Sequence, residues 1–131
     1  MELSSYLQDL EYLVNIDSGS EDREGLNAVA SFFSSRFRDM GWIVAEHDLA
    51  PDSGTCLICT NREAEHYDLM LMGHMDTVFT RGTCAQRPFR IEGDRAYGPG
   101  VCDMKQVQCG IHRQVRSLRQ CIYQWCPQCC Q

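Results

Sequence analysis

The chain has 131 residues, enough for one modest domain with one core. Hydrophobic residues make up 44% and charged residues 23%, which excludes the disordered and membrane-embedded classes, and a net charge of −6 argues against nucleic acid or an anionic membrane as partner. The start, Met1-Glu-Leu-Ser-Ser-Tyr6, has neither the basic stretch nor the apolar core of a secretory signal, and no apolar run is long enough to span a bilayer, so a cytoplasmic location is expected.

In chain order, Leu3, Tyr6, Leu7, Leu10, Leu13 and Val14 recur at helical spacing and predict a first amphipathic helix. Ser18-Gly-Ser-Glu21 fits a capping box, with the glutamate three residues after the cap. A second helix follows, with Leu26, Val29, Ala30, Phe33, Phe37 and Met40 on one face and Gly41 placed to end it. Strands are expected over Trp42 to Leu49, over Gly54 to Thr60, and over Tyr67 to Gly73, the last as a central strand with Met70 and Met72 in the core. Phe89 to Tyr97 reads as a hairpin turning at Gly93-Asp94. Two helices followed by strands make an α/β layer with a mixed sheet.

Residues 106–131 differ in character from residues 1–105. Glutamine and cysteine fill 12 of these 26 positions, and all 18 acidic residues lie before them. Arg113, Arg116 and Arg119 share a helical face with few apolar positions opposite, so an irregular tail is expected. The nine cysteines are an odd number without a signal, which does not read as a disulfide framework. Cys56 and Cys59 lie three apart on a strand, where core packing is the expectation, and Cys102 is expected to fill space. His47 and His66 neighbour acidic residues and read as solvated.

The chemistry is concentrated in two short stretches. Leu69-Met-Leu-Met-Gly-His74-Met-Asp76-Thr-Val78 ends an apolar strand in a His-x-Asp pair, and Tyr97-Gly-Pro-Gly-Val-Cys-Asp103-Met-Lys105 presents a second aspartate on a glycine-proline turn. Histidine suits zinc through a neutral ring nitrogen. A carboxylate two residues on, along extended backbone, points to the same side and can take the other ring N–H, fixing the tautomer. His74 as a metal ligand with Asp76 as its orienter is therefore a sensible pair, and Asp103, on a turn that lets backbone approach closely, is a sensible bridging ligand. A His-x-Asp pair alone is usually a surface hydrogen bond, and a Gly-Pro-Gly alone is usually only a turn. The two together, with the apolar strand before one and Asp-Met-Lys closing the other, are far more specific.

Gly73-His-Met-Asp-Thr-Val78 and Gly98-Pro-Gly-Val-Cys-Asp-Met-Lys105 resemble the dizinc aminoacylase and carboxypeptidase family, which includes acetylornithine deacetylase, succinyl-diaminopimelate desuccinylase and glutamate carboxypeptidase. Arg87-Pro-Phe-Arg-Ile-Glu-Gly-Asp-Arg-Ala-Tyr97 and the Gly-Pro-Gly resemble the glutamate carboxypeptidase branch most closely. The resemblance covers residues 1–105. It implies the N-terminal part of a zinc-exopeptidase-like mixed sheet flanked by helices, and a truncated catalytic domain. It also implies two zinc ions, with His74 ligating one, Asp103 bridging both and Asp76 orienting His74. The implied substrate is a small peptide or an N-acyl amino acid, cleaved at an amide bond by metal-activated water.

In the family, the stretch after Asp-Met-Lys runs into a small-residue helix. A glutamate pair (general base and zinc ligand), another acidic ligand, a dimerisation domain and a distal histidine come later. Here no acidic residue follows Asp103, so the reading is of an inactive fragment whose oligomeric state is left open. The alternative is a non-enzymatic thiol- or zinc-binding protein acting through Cys109, Cys121, Cys126, Cys129, Cys130 and His112. Trp125-Cys126-Pro-Gln-Cys129 is similar to a redox motif but has no following helix to lower a thiol pKa. The expected origin of residues 106–131 is a frameshift after Lys105. If the codons are AAG for Lys105 and CAG for Gln106, reading one base back gives Ala-Gly, the family's continuation. Sequencing the gene downstream should reveal the glutamate pair and the distal histidine in another frame. Their absence from every frame would make the tail genuine.

Overall fold

The computed structural model describes residues 2–115 and 121–125. Helix α1, Leu3–Val14, buries Leu10, Leu13 and Val14, while Leu3 at its first turn stays exposed. Helix α2, Arg23–Asp39, buries Leu26, Val29, Ala30, Phe33 and Phe37 on the face that the periodicity marks out. Gly41, at φ +79°, ends it as expected.

The start of α2 is a correction. Its cap is Asp22, whose carboxylate accepts the Gly25 N–H at 3.1 Å, and not a Ser18–Glu21 box. Ser18 is already committed elsewhere: its carbonyl accepts the Thr77 N–H at 2.8 Å, and Gly19 bridges to Thr77. The segment before α2 is thus tied to the loop that carries His74 and Thr77.

The strands are β1, Ile43–Asp48; β2, Thr55–Thr60; β3, Leu69–Gly73; and β6, Cys121–Trp125, in the spatial order β1-β2-β6-β3. β1 with β2 and β2 with β6 run antiparallel, and β3 with β6 runs parallel, so the sheet is mixed as expected. Val44, Leu57, Cys59 and Leu71 pack with the helical core. Cys56 and Cys59 are both buried, as expected. The hairpin β4, Arg90–Glu92, and β5, Arg95–Tyr97, turns through Gly93 at φ +62°, also as expected. A short helix, α3 (Thr83–Gln86), lies before it.

Two expectations change. Among the described residues β3 lies at the sheet edge rather than in its centre, because β6 enters between β2 and β3. Met70 and Met72 are also not core: they alternate with Leu71, which packs with the core, lie on the opposite face of the sheet, and are 49% and 58% exposed. The segment beyond Lys105 is not irregular over its described part. Helix α4, Gln106–Gln114, buries Gln108, Cys109 and His112. Arg113 bonds Asp9 of α1 together with the Ser5 hydroxyl and carbonyl, and Arg36 of α2 holds the other Asp9 oxygen at 2.6 Å. Arg116, Arg119 and the Cys126–Cys129 motif lie outside the described residues.

His112 packs edge-on against Phe33, with ring centroids 5.8 Å apart. Burial, with Arg113 and Arg36 nearby, outweighs the bond to the Gln108 carbonyl and the charge of Asp9, bringing its pKa down to about 4 from an ordinary 6.5. The unfolded chain therefore binds the extra proton first as pH falls. Stability held above pH 6.5 should be lost between pH 6.5 and 4, by up to about 3 kcal/mol. Urea denaturation across that range should give a shallower acid slope in His112→Gln than in the parent. Equal slopes would contradict the buried neutral histidine.

Candidate metal centre

Where β3 ends, extended backbone continues through the next residues and alternates their side chains. Met75 goes into the core at 1% exposure, while His74 and Asp76 share the opposite side. His74 Nδ1 lies 3.0 Å from Asp76 Oδ1 and 3.0 Å from the Asp76 carbonyl oxygen. The other Asp76 oxygen accepts the Ser20 hydroxyl at 2.6 Å. Asp76 is therefore locked from two directions, and it holds the imidazole in one orientation.

Asp103 arrives from a tight turn, Val101–Lys105, that follows Gly98-Pro99-Gly100. Gly100 has φ +73°, and a Cβ there would meet Thr77 Cγ2 at 2.7 Å, so this position requires glycine twice over. Lys105 closes the turn through its N–H to the Gly100 carbonyl at 3.0 Å. Its side chain, 1% exposed, donates from Nζ to the Leu13 and Ile16 carbonyls at 2.8 and 2.9 Å. Burial brings the Lys105 pKa down to about 8.

The turn delivers Asp103 Oδ1 to 3.0 Å from His74 Nε2. The Asp103 side chain is 85% exposed, whereas those of His74 and Asp76 are 14% and 17% exposed, so Asp103 is open to a ligand and the other two are braced from behind. Burial alone would pull the His74 pKa down. The bond to Asp103, the Asp76 carbonyl and the two carboxylate charges outweigh it and leave the pKa raised. All three residues line one cavity of about 730 Å³, together with Ser20, Thr77 and Tyr97.

The three residues singled out in the sequence thus come together. Cys102 is corrected: it is exposed and lines the same cavity, because the turn needed to present Asp103 turns its neighbour outward too. Cys109 is buried among α-helical neighbours, which pushes its thiol up to about 12 and argues against it as a metal donor. His47 and His66 are exposed, as expected.

The sequence reading missed two supports. Ser20 lay inside the supposed capping box, and only the return of that segment to Thr77 brings it to Asp76. Gln108 of α4, fully buried, donates its amide N–H to the His74 carbonyl. Nothing in its neighbourhood in sequence signals that contact, which spans the turn and half a sheet.

As a donor set, His74 Nε2 and the Asp103 carboxylate suit a divalent metal. Among the described residues, however, no group of three or more His, Cys, Asp or Glu side chains is placed to hold one. A zinc site normally takes three or four protein ligands, so the described residues do not by themselves fit a catalytic zinc ion.

Residues 70–124 match the model for peptidase family M20/M25/M40, and the match runs past Lys105. The chain is 35% identical over 120 residues to carboxypeptidase G2 of Pseudomonas sp. (strain RS-16), covering 91% of this chain and 29% of that protein. Among solved structures it is similar to an M20 family metallo-carboxypeptidase from Sulfolobus solfataricus, with TM-score 0.72, 15% identity, and 95% of this chain against 30% of that one. It is also similar to human carnosine dipeptidase 1, with TM-score 0.71, 17% identity, and 93% against 31%. The chain thus spans less than a third of the length of these relatives.

Replacing Gln108 by leucine should leave the His74 carbonyl without its buried donor and lower stability by about 1–2 kcal/mol. Thermal denaturation of the variant checks this. An unchanged midpoint would mean that α4 does not brace the strand end.

Proposed function

We propose, from the premise that this chain belongs to peptidase family M20/M25/M40, that His74 and Asp103 are metal donors and that Asp76 holds His74 in register for them. Together they make up half of the centre of an amide-bond hydrolase. The observation that supports this is the carboxylate–imidazole–carboxylate line, with Asp76 and Asp103 each 3.0 Å from opposite nitrogens of one ring. Zinc is the metal in this reading, because a neutral imidazole nitrogen and a carboxylate are its usual ligands. The substrate class is a small peptide or an N-acyl amino acid.

In the same reading the chain does not turn over by itself. Residues 104–131 contain neither aspartate nor glutamate, so these residues supply no carboxylate as the general base that the resemblance puts after Asp103. What this chain's own residues do is bind and orient. Ser20 fixes Asp76, Asp76 fixes the His74 ring, and Gln108 fixes the His74 backbone. No helix among the described residues is long and apolar enough to cross a membrane. A cytoplasmic location is supported by Cys56, Cys59, Cys84, Cys102 and Cys109 all being thiols.

Calorimetric titration of the purified chain with zinc should show binding that His74→Ala and Asp103→Ala abolish. Asp76→Asn should weaken it by roughly 10- to 100-fold, the usual cost of losing the group behind a ligating histidine. With zinc added, an N-acyl glutamate substrate should remain uncleaved, and turnover by the chain alone would overturn the half-centre reading. Zinc binding that survives His74→Ala but disappears with removal of residues 116–131 would favour the cysteine-rich tail instead.

A further inference from the structure

The four-stranded sheet has two outer strands among the described residues, and they are guarded differently. On one side is β1, whose second half includes Glu46, His47 and Asp48, with Arg38 2.9 Å from Glu46 and Arg23 2.6 Å from Asp48. Charge along an outer strand is a usual protection against pairing with another chain. On the other side is β3, Leu69-Met-Leu-Met-Gly73, which carries no charged residue and no proline. Among the described residues β3 is laddered to β6 alone, so its outer main-chain N–H and C=O groups have no strand beside them. Leu69, Met70 and Met72 along it are 39%, 49% and 58% exposed.

An open backbone edge of this kind is matched by one chemistry, a further extended strand. β3 itself is such a strand. Set antiparallel to a second β3, about a two-fold axis through Leu71 and perpendicular to the sheet, it pairs Leu69 with Gly73, Met70 with Met72, and Leu71 with Leu71. Every residue of the five-residue strand then has a partner inside the other strand. Residues opposed across an antiparallel pair share a face. Leu71, which packs with the helical core, therefore meets its own copy on the helix-covered side, and Met70 and Met72 of both copies gather on the open side. The rival arrangement joins β3 of one copy to β1 of another and would propagate without end. The charges of β1 oppose it. With one unguarded edge in each copy, the association closes at two.

We propose that the β3 edge is a self-association surface, and that its occupant is a second copy of this chain. Two copies join through an antiparallel β3–β3 ladder, and their sheets run on as one. The inference is independent of the metal centre, since no ligand takes part in the pairing.

Sedimentation of the full chain across a wide range of concentration tests it, in reducing buffer so that the exposed Cys102 thiol does not cross-link copies. A monomer–dimer equilibrium should fit, and hydrogen exchange in Leu69–Gly73 should slow as the dimer fills. The double variant Met70→Lys with Met72→Lys places like charges directly opposite one another and should weaken the dimer at least about tenfold. Met70→Glu with Met72→Glu should do the same, and mixing the two variants should restore a one-to-one dimer. Because both methionines are half exposed, the folds should persist, which circular dichroism verifies. Ile43→Lys, on β1 and 46% exposed, should change the dimer by less than about twofold, because that edge takes no part. A monomer at every concentration would overturn the proposal and leave the edge to a strand from a different chain. Open-ended association, a dimer without slower exchange in Leu69–Gly73, failure of the mixed variants to pair, or loss of the dimer in a folded Ile43→Lys would each overturn it too.

Discussion

The buried ammonium of Lys105 is the constraint on which the rest of the site depends. A lysine taken out of water must find acceptors or lose its charge. Here it finds them in the Leu13 carbonyl, in the last turn of α1, and the Ile16 carbonyl just beyond it. One interaction therefore finishes a helix and pins a turn. Because Lys105 is also bonded through its N–H to the Gly100 carbonyl, the whole loop from Gly98 to Lys105 is registered against α1. Asp103, two residues before the anchor, has little choice about where it emerges.

His74 is positioned by different means. It stands just past a strand end, and strand ends are free to wander unless something holds them. Three segments do so: Ser18–Ser20 through Thr77 and Asp76, the Asp103 turn through Met104 and Asp103, and α4 through Gln108. Each comes from a separate part of the chain, so the ring of His74 is held by tertiary structure rather than by its own strand. This is why α4 matters to the site although it contributes no ligand.

Much of this was legible in the sequence, and the reasons are local. The stripes of α1 and α2, the hairpin at Gly93, and the His74, Asp76 and Asp103 constellation are all written within short windows, where side-chain periodicity and turn chemistry decide the outcome. The failures are non-local. The capping box at Ser18 was outcompeted by pairing with Thr77, almost 60 residues on. The status of β3 depended on β6, whose glutamine- and cysteine-rich surroundings carry no strand pattern. Cys102 was misjudged because its exposure follows from the turn that serves Asp103. Composition alone also undervalued Arg113, which finds its acidic partner at the other end of the chain in Asp9.

The edge position of β3 has a consequence for how the molecule breathes. Among the described residues this strand is bonded on one side only, with thioether side chains on its open face. Backbone amides on such an edge exchange their hydrogens through small local openings, without waiting for the core to come apart. The histidine of the site follows directly from this strand. A ring braced by three segments is thus mounted next to a sheet edge, and Met70 and Met72, half exposed, present their sulfurs to dissolved oxidants. Sulfoxide formation at Met72, two residues from the metal-binding candidate, would add a polar group to the open face of β3 and would register as a local loosening well before any global unfolding.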